Sequence, residues 1–497
     1  MFMDRGQITF QNAVENLLKD IFGILELQIR SNTFVVGIPT QRNSEKIFLQ
    51  QQDGKFDSNE FRQVFELAKA NFDNDPEQLF FLGTAHLNEA HQNSLYPKAL
   101  RKAILSILNQ HDLKRKKVSF CSFAIQKNEY WITVVIQLDR QDFDNQYRLL
   151  KQEHEMHSMR KYRIDRCFLE ALIYKVLAES EIELEKPSQG NKITLANSER
   201  VIEDAASSLL KSVEVHVNQW NRVDLFSFAN AIAAERYEGA GSQGRLIICQ
   251  ANHPCIATKV KLKTPINIYN YRGIRKLLEV SSNQMALLCD VENIWGLGFP
   301  LNTYKSDLEN LFEIRFTEHY TWELVHAGNI MLRVKYRQPR LPKERFNKAQ
   351  FYDCINQLFE VSPATANKLI KAVEAAVEQR HGTMLVITPE AEPETKRLAA
   401  QSTAIDPIAV DQEIISHMSS IDGAILVSPD GIVHSFGVIL DGKATENGNS
   451  ARGARYNSAI RYVDGEKARN INCLALIVSE DGYVDLYPSL KKRTPRL

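Results

Sequence analysis

The sequence lacks several features that would assign it to a special class of protein. Its seven cysteines are scattered and never spaced as CxxC, so neither a disulfide framework nor a thiolate zinc site is indicated. No long hydrophobic run is present, and the apolar stretch at residues 131–136 is far shorter than a bilayer requires. The first ten residues lack a basic start followed by an apolar segment. We therefore expect a protein of the reducing cytoplasm that is neither exported nor inserted into a membrane.

An excess of charge of one sign is also lacking. Lys plus Arg and Asp plus Glu number 61 each, so no overall field draws the chain to nucleic acid or to an anionic membrane. We expect neither as a partner. At 497 residues, with 44% hydrophobic and 25% charged residues, the composition is that of a globular protein of several domains.

The first predicted domain covers residues 1–185. Two β-branched and aromatic runs, at 118–125 and 130–138, predict an antiparallel hairpin. Apolar residues that repeat at three and four positions from residue 164 predict an amphipathic helix that covers the hairpin. An α+β domain follows from this combination.

Two polar segments predict further boundaries. Residues 183–199 contain Pro187 and Gly190 and show no sustained period, which indicates a linker. A second α+β domain is predicted at 200–338. Prolines and basic residues at 337–345 interrupt regular structure again, so a third domain is expected at 346–497.

The third domain has an alternating pattern of helices and strands. Ser362 and Pro363 favour a helix start, with a Ser cap and Pro at the first helical position. The further elements predicted are a strand at 383–388, a helix at 410–418, strands at 424–428 and 432–440, a short helix near 457–462 and a strand at 473–479. We therefore expect the α/β class, with a mixed sheet flanked by helices.

The segment SIDGAILVSPDG places an acidic residue at the start of a buried strand. Asp422 precedes Gly423 and Ala424, whose small side chains let a flat ligand approach the backbone. A carboxylate in this position can hold a divalent metal ion and promote ionisation of an attacking hydroxyl. On its own, Asp-Gly before a strand is more often a turn, so both interpretations stay open at this point.

The segment NGNSARGARYNSA, at residues 447–459, has the composition of a phosphate-binding loop. Its glycines expose backbone N–H groups, and a helix N-terminus is predicted behind them. Arg452 and Arg455 can each make charge-assisted contacts to phosphate oxygens. A flexible basic surface loop would have the same composition.

Four short motifs in a fixed order are more specific than either segment alone. RHGTMLVI is followed by Asp-Gly-Ala about 40 residues on, by GARYNSA about 30 further, and then by Val-Ser-Glu-Asp-Gly. Together they resemble the diadenylate cyclase domain that the DNA integrity scanning protein shares with its relatives. The resemblance spans about 120 residues within 362–488. It implies a C-terminal domain that joins two ATP molecules into cyclic di-AMP.

The resemblance assigns roles to individual residues. It implies that Asp422 is the metal-binding catalytic residue, with Glu480 as a second metal-binding candidate, and that Arg455 is the catalytic contact to phosphate. The family's Gly-Thr-Arg-His-Arg segment corresponds to GARYN here, in which only Gly453 and Arg455 match. The nucleotide-binding set so indicated is Gly382, Thr383, Gly423, Ala424, Arg452, Gly453, Ala454, Tyr456, Asn457 and Ser458.

The departures from the family's phosphate segment keep alternatives open. Ala454 cannot donate a side-chain hydrogen bond, and Tyr456 and Asn457 are uncharged, although both can still donate and Arg452 can replace a missing charge. One alternative is a nucleotide-binding sensor that no longer catalyses. The other is a cyclase that makes a different cyclic nucleotide, since backbone contacts discriminate adenine less well than side-chain hydrogen bonds do.

The resemblance also implies a cofactor and partners. Mg²⁺ or Mn²⁺ is expected with the ATP substrate. Because each ATP supplies both a nucleophile and an electrophile, two cyclase domains must face each other in a homodimer or a higher homo-oligomer. The segment RGIRKLLEV, at 272–280, loosely resembles part of the sensor domains found beside these bacterial cyclases. We therefore expect the N-terminal domains to be regulatory and to respond to an unknown ligand.

Overall fold

The chain divides into two compact units, Met1–Pro342 and Lys343–Leu497. Each unit combines helices with sheets, and the sheet of the C-terminal unit is mixed, as predicted. The computed structural model describes residues 7–41, 46–51, 56–79, 83–155, 161–186, 193–217, 223–239, 241–281, 285–342, 346–377, 382–443, 453–479 and 482–488.

The N-terminal unit contains two large sheets and a short two-stranded ribbon. Its helices are α1 (Gln7–Ile24), α2 (Val64–Asp73), α3 (Ala85–Arg115), α4 (Arg140–Asp144), α5 (Phe168–Glu185), α6 (Ser198–His216), α7 (Leu225–Ala234) and α8 (Tyr271–Leu278). Its strands are β1 (Ser31–Pro39), β2 (Phe48–Gln50), β3 (Lys117–Cys121), β4 (Ile125–Lys127), β5 (Tyr130–Asp139), β6 (Glu153–Glu155), β7 (Lys161–Arg163), β8 (Gly244–Cys249), β9 (Ile256–Asn267), β10 (Ala286–Cys289), β11 (Asn293–Pro300), β12 (Leu311–Glu318), β13 (Thr321–His326), β14 (Asn329–Lys335) and β15 (Gln338–Arg340).

The first sheet has the order β2-β1-β5-β3, and β4 also pairs with β5. The predicted antiparallel hairpin is confirmed, with its first arm divided into β3 and β4, both antiparallel to β5. The helix expected from residue 164 begins later, at Phe168. Ile164 N–H instead donates to the carbonyl of Gln152 at 2.8 Å, and the Cys167 sulfur caps the helix by accepting from Glu170 N–H.

The second sheet has the order β15-β14-β13-β12-β8-β10-β11-β9. Strands β8 and β10 are parallel, whereas the other neighbours are antiparallel. Buried residues on both sides of the predicted linker, such as Leu177 and Val201, belong to one hydrophobic cluster. The division of this unit into domains at 1–185 and 200–338 stays a prediction.

No helix in the described part of the chain is both long enough and apolar enough to cross a membrane.

The C-terminal unit is built on one six-stranded mixed sheet of order β17-β19-β18-β16-β20-β21. Its helices are α9 (Lys348–Phe359), α10 (Pro363–Val377), α11 (Ala391–Arg397), α12 (Gln412–Met418) and α13 (Ala454–Ala468). Its strands are β16 (Thr383–Ile387), β17 (Thr403–Ala409), β18 (Ala424–Val427), β19 (Ile432–Val438), β20 (Leu474–Val478) and β21 (Val484–Tyr487). The central strands β16 and β18 are parallel, and the other pairs are antiparallel.

Helices cover both faces of this sheet. One apolar cluster joins α9, α10 and α12 to alternate strand residues such as Leu385 and Ile425. A second cluster joins α11 and α13 to the intervening residues, among them Met384 and Leu426. Because successive strand residues point to opposite faces, strands covered on both faces are continuous apolar runs. That is why β16, β18 and β20 were predictable from the sequence within a residue or two.

Local signals account for some helix ends. The predicted cap at Ser362 is confirmed, since Thr365 N–H donates to the Ser362 hydroxyl oxygen at 3.1 Å. Helix α13, expected only near 457–462, runs from Ala454 to Ala468. It continues past Gly465 because Tyr462, Val463 and Glu466 are buried against the unit.

Candidate nucleotide site

The structure brings Asp422 and Arg455 together although 33 residues separate them. Asp422 lies just before β18, and Arg455 lies in the first turn of α13. The Nη2 and Nε atoms of Arg455 are 3.0 and 3.2 Å from Asp422 Oδ1. The Asp422 side chain is 83% exposed and that of Arg455 is 32% exposed. Exposed ion pairs contribute about 0–1 kcal/mol, so a ligand can open this one at small cost.

The residues predicted at the starts of β16 and β18 lie at the same edge of the sheet. Strands β16 and β18 are parallel, and Met384 pairs with Ala424, so Gly382 and Asp422 stand level with each other. The ends of β16, β18 and α13 therefore meet around the Asp422–Arg455 pair. An anion bound here would be close to both a carboxylate and a guanidinium.

Gly423 is required by the backbone around Asp422. Its φ is +125°, and a Cβ at this position would lie 2.5 Å from the carbonyl carbon of Gly437 in β19. Only glycine allows both that backbone conformation and that approach. The contact holds Asp422 at the start of β18.

We expect Gly423→Ala to destabilise the C-terminal unit by roughly 2–4 kcal/mol, from backbone strain and overpacking together. Hydrogen exchange of the β18 and β19 amides measures the loss. Gly465→Ala is the matched control, because Gly465 is exposed on α13 with no other atom within 4 Å of its would-be Cβ. That change should be neutral or stabilising by up to about 1 kcal/mol. Equal protection in both variants would contradict the assigned role of Gly423.

The first turn of α13 has the form expected of a phosphate-binding helix start. Gly453 precedes the helix and makes no side-chain cap. The first N–H groups of a helix lack intrahelical acceptors, and the helix dipole favours an anion there. Asn457 donates from its side-chain amide to Gly453 O at 3.2 Å, and the ring of Tyr456 packs against the apolar cluster beneath α13. Ala454 and Ser458 lie on the same turns.

Two of the residues predicted to contact the nucleotide have buried side chains. Ala424 is fully buried in the apolar cluster shared with α13. Thr383 is fully buried at the start of β16, and its hydroxyl has no hydrogen-bond partner among the described residues. Contacts of either residue with a nucleotide stay predictions. Arg452 and Glu480 lie outside the described residues.

The site fits a divalent metal ion that is bound partly by the protein and partly by a substrate. Within the described residues, no group of three or more His, Cys, Asp or Glu side chains could hold a metal ion. Asp422 offers one exposed carboxylate. Mg²⁺ is commonly bound by one or two carboxylates together with substrate phosphates and water. The donor set therefore fits an ion that arrives with a nucleoside triphosphate, with Asp422 as its protein ligand.

A charged network that joins α11 to α13 was missed from the sequence. Glu394 on α11 binds Arg397 and also Tyr462 and Arg469, which lie in or after α13. Helix α11 has acidic residues in its first turn and basic residues in its last, a pattern that could have predicted the helix. No sequence signal links its side chains to partners about 70 residues away.

Comparison with known families assigns this unit. Residues 370–490 match the family model DAC, described as "DisA bacterial checkpoint controller nucleotide-binding". The match contains Asp422, Arg455 and all three central strands. Residues 370–490 form a DAC domain.

The regions before the DAC domain match two further models. Residues 3–210 match "Probable sensor domain DACNG", and residues 223–328 match "Probable sensor domain DACNH". The combination of a DAC domain with sensor domains confirms the resemblance inferred from the motifs. It indicates a nucleotidyltransferase-type cyclase function for the DAC domain.

Other comparisons are weaker. No curated protein matches the chain significantly. A crystal structure of a hypothetical membrane spanning protein from Bacillus cereus is 20% identical, with a TM-score of 0.22. That match covers 28% of this chain and 66% of the other, just under two thirds of its length.

Proposed function

We propose that this chain is a diadenylate cyclase that condenses two ATP molecules into cyclic di-AMP and releases pyrophosphate. The observation that supports this most is the Asp422–Arg455 pair at the strand edge of the DAC domain. It places a carboxylate, which can act on a hydroxyl, beside a guanidinium, which can bind phosphate. Phosphoryl transfer uses one group to orient the nucleophile and another to bind phosphate.

Arg455 is proposed to bind the ATP phosphates. In the structure its Nη2 and Nε both contact one oxygen of Asp422. A phosphate carries more negative charge than a carboxylate and offers oxygens in the geometry that a guanidinium matches. We propose that Arg455 turns to the phosphate when ATP arrives, and that this exchange leaves the Asp422 carboxylate available.

Asp422 is proposed to orient the 3′ hydroxyl of one ATP toward the α-phosphate of the other. The exposed carboxylate accepts a hydrogen bond from that hydroxyl and aligns it with the leaving pyrophosphate. Bound at Asp422 and the phosphates, Mg²⁺ or Mn²⁺ would lower the pKa of the hydroxyl and neutralise developing charge. Glu480 is proposed as a second acidic ligand.

The proposed reaction requires two DAC domains, because one chain provides one such site. We expect specific activity to fall on dilution, unless the chain is a stable dimer or larger even-numbered oligomer. Activity across a dilution series, with the molecular mass measured at each concentration by sedimentation, checks this. A strictly monomeric chain whose specific activity is constant on dilution would contradict the mechanism.

Residues 1–342 are proposed to regulate this activity, since the two sensor-domain matches both lie there. We propose that they respond to a ligand. We propose a cytoplasmic bacterial enzyme that binds neither membrane nor nucleic acid.

A nucleotide-binding sensor without catalysis is a second candidate, and the phosphate turn favours it. The amide of Asn457 donates to Gly453 O, and the ring of Tyr456 packs on the apolar cluster. Both side chains are uncharged, so Arg455 is the only cation on the described first turn of α13. Incubation with each nucleoside triphosphate and Mg²⁺ or Mn²⁺, followed by mass analysis, separates the two functions. It also identifies a cyclase that makes another cyclic nucleotide.

A further inference from the structure

A buried carboxylate on α11 accepts hydrogen bonds from three side chains. Arg397 Nη2 and Tyr462 Oη lie 2.6 and 2.9 Å from Glu394 Oε2, and Arg469 Nη1 lies 3.1 Å from Oε1. The Glu394 side chain is only 2% exposed. Burial alone would raise the pKa of Glu394, but these hydrogen bonds outweigh it and hold the pKa below its usual range. Glu394 is therefore a buried anion whose partners come from α11 and from the C-terminal half of α13 and just beyond.

Arg397 extends the network to the segment that follows β19. Its Nη1 and Nη2 lie 2.6 and 2.8 Å from Oδ2 and Oδ1 of Asp441, which is a bidentate geometry. The next residue, Gly442, has a φ of +151°, and a Cβ there would lie 2.8 Å from the carbonyl carbon of Arg461 in α13. The segment after β19 is thus held by α11 on one side and by α13 on the other.

The elements joined in this way are those that carry the candidate site. Helix α13 presents Arg455 at its first turn and Tyr462 two turns later. Strand β19 supports Gly423 through the contact described above. Helix α11 is also bonded to β19, since Thr395 Oγ1 lies 2.9 Å from Ser435 Oγ. A shift of α11 would therefore move both the helix that bears Arg455 and the strand behind Asp422.

We propose that Glu394, Arg397, Asp441, Tyr462 and Arg469, here called the Glu394 clamp, position the phosphate-binding end of α13 and thereby set the affinity for ATP. These are positioning residues that act through α13 and β19. The inference rests on the proposed function, because it assumes that ATP phosphates bind at Arg455.

The test uses Asp441→Asn in the full-length chain. Asp441 is about half exposed, and the change preserves its size while removing the charge that binds Arg397. We expect the KM and the dissociation constant for ATP to rise by about twofold to fivefold, the range that an exposed ion pair can supply through positioning. The melting temperature should hardly change, because exposed ion pairs contribute little to stability. Asp441→Glu retains the charge and should recover most of the affinity.

A second variant and a matched control complete the test. Glu394→Gln weakens the centre of the clamp and should raise KM by more than Asp441→Asn does. Glu392→Gln is the control, since Glu392 lies on the same helix in an exposed pair with Lys396, 2.7 Å away, outside the clamp. It should leave KM, kcat and ATP affinity unchanged.

The outcomes separate the clamp from the proposed function. A wild-type chain that binds ATP, with Asp441→Asn and Glu394→Gln equal to it in affinity and KM, overturns the positioning role alone. The same holds if Glu394→Gln lowers only the melting temperature. A wild-type chain that binds no ATP overturns the proposed function, and the clamp proposal with it. Equilibrium binding of ATP provides this readout even if no product forms.

Discussion

Asp422→Asn is expected to lower the turnover of ATP by at least about 100-fold, the scale of losing a metal-ligand or general-base function. The variant keeps the size of the side chain and one acceptor oxygen but loses the negative charge. The fold should be retained, because the side chain is 83% exposed and its ion pair is at the surface. Product formation and melting temperature, measured together, check both statements.

ATP binding gives this variant a second signature. In the structure the Asp422 carboxylate forms an ion pair with Arg455. Without this charge Asp422 competes less with phosphate for Arg455, so ATP affinity measured without metal should be unchanged or higher. Asp430→Asn is the matched control, since Asp430 lies at the turn beyond the other end of β18 and accepts from Ser428. An Asp422→Asn variant that cyclises ATP at the wild-type rate would remove Asp422 from the mechanism.

Arg455→Ala is expected to lower both ATP affinity and turnover, each by roughly 1.5–3 kcal/mol, as charged hydrogen bonds to phosphate do. The guanidinium binds phosphate in the ground state as well as in the transition state, so the two losses come together. Arg455→Lys should recover part of the affinity as a point charge, without the bidentate geometry.

Arg461→Ala is the control for charge on the same helix. Arg461 is exposed on α13, two turns beyond Arg455, and alanine keeps the Cβ that lies near Gly442. Its removal should affect neither affinity nor turnover. An Arg455→Ala variant with unchanged ATP affinity would show that phosphate binds elsewhere. Equal losses of affinity and turnover in Arg461→Ala would show that the effect comes from net charge alone.

Much of the C-terminal unit could be predicted from its sequence because its central strands are buried on both faces. Leu385, Ile425 and Leu476 lie on one face while their neighbours lie on the other, which produces unbroken apolar runs. Asp422 and Arg455 could also be chosen as candidates, since each stands at a glycine-containing junction. The contact between them could not be predicted, because the distance between the two side chains depends on strand register and on the packing of α13.

Elements without an apolar pattern were missed. Strand β17 is an exposed edge strand containing Pro407, and α11 is a short helix containing Pro393, so neither has the periodicity that reveals a strand or a helix. The Glu394 clamp was missed for a different reason: the partners of its buried carboxylate on α13 and beyond are distant in sequence. A buried carboxylate and an exposed one look identical in a sequence, and only the packing separates them.

The central claim is that two ATP molecules are joined at the Asp422–Arg455 site. Its most direct test is to incubate the full-length chain with ATP and Mg²⁺ or Mn²⁺, identify the product by mass and quantify pyrophosphate, with Asp422→Asn in parallel. The account predicts cyclic di-AMP with two pyrophosphates per product from the wild-type chain, and almost none from the variant. A wild-type chain that binds ATP but leaves it unchanged, or that cyclises only another nucleotide, would contradict it.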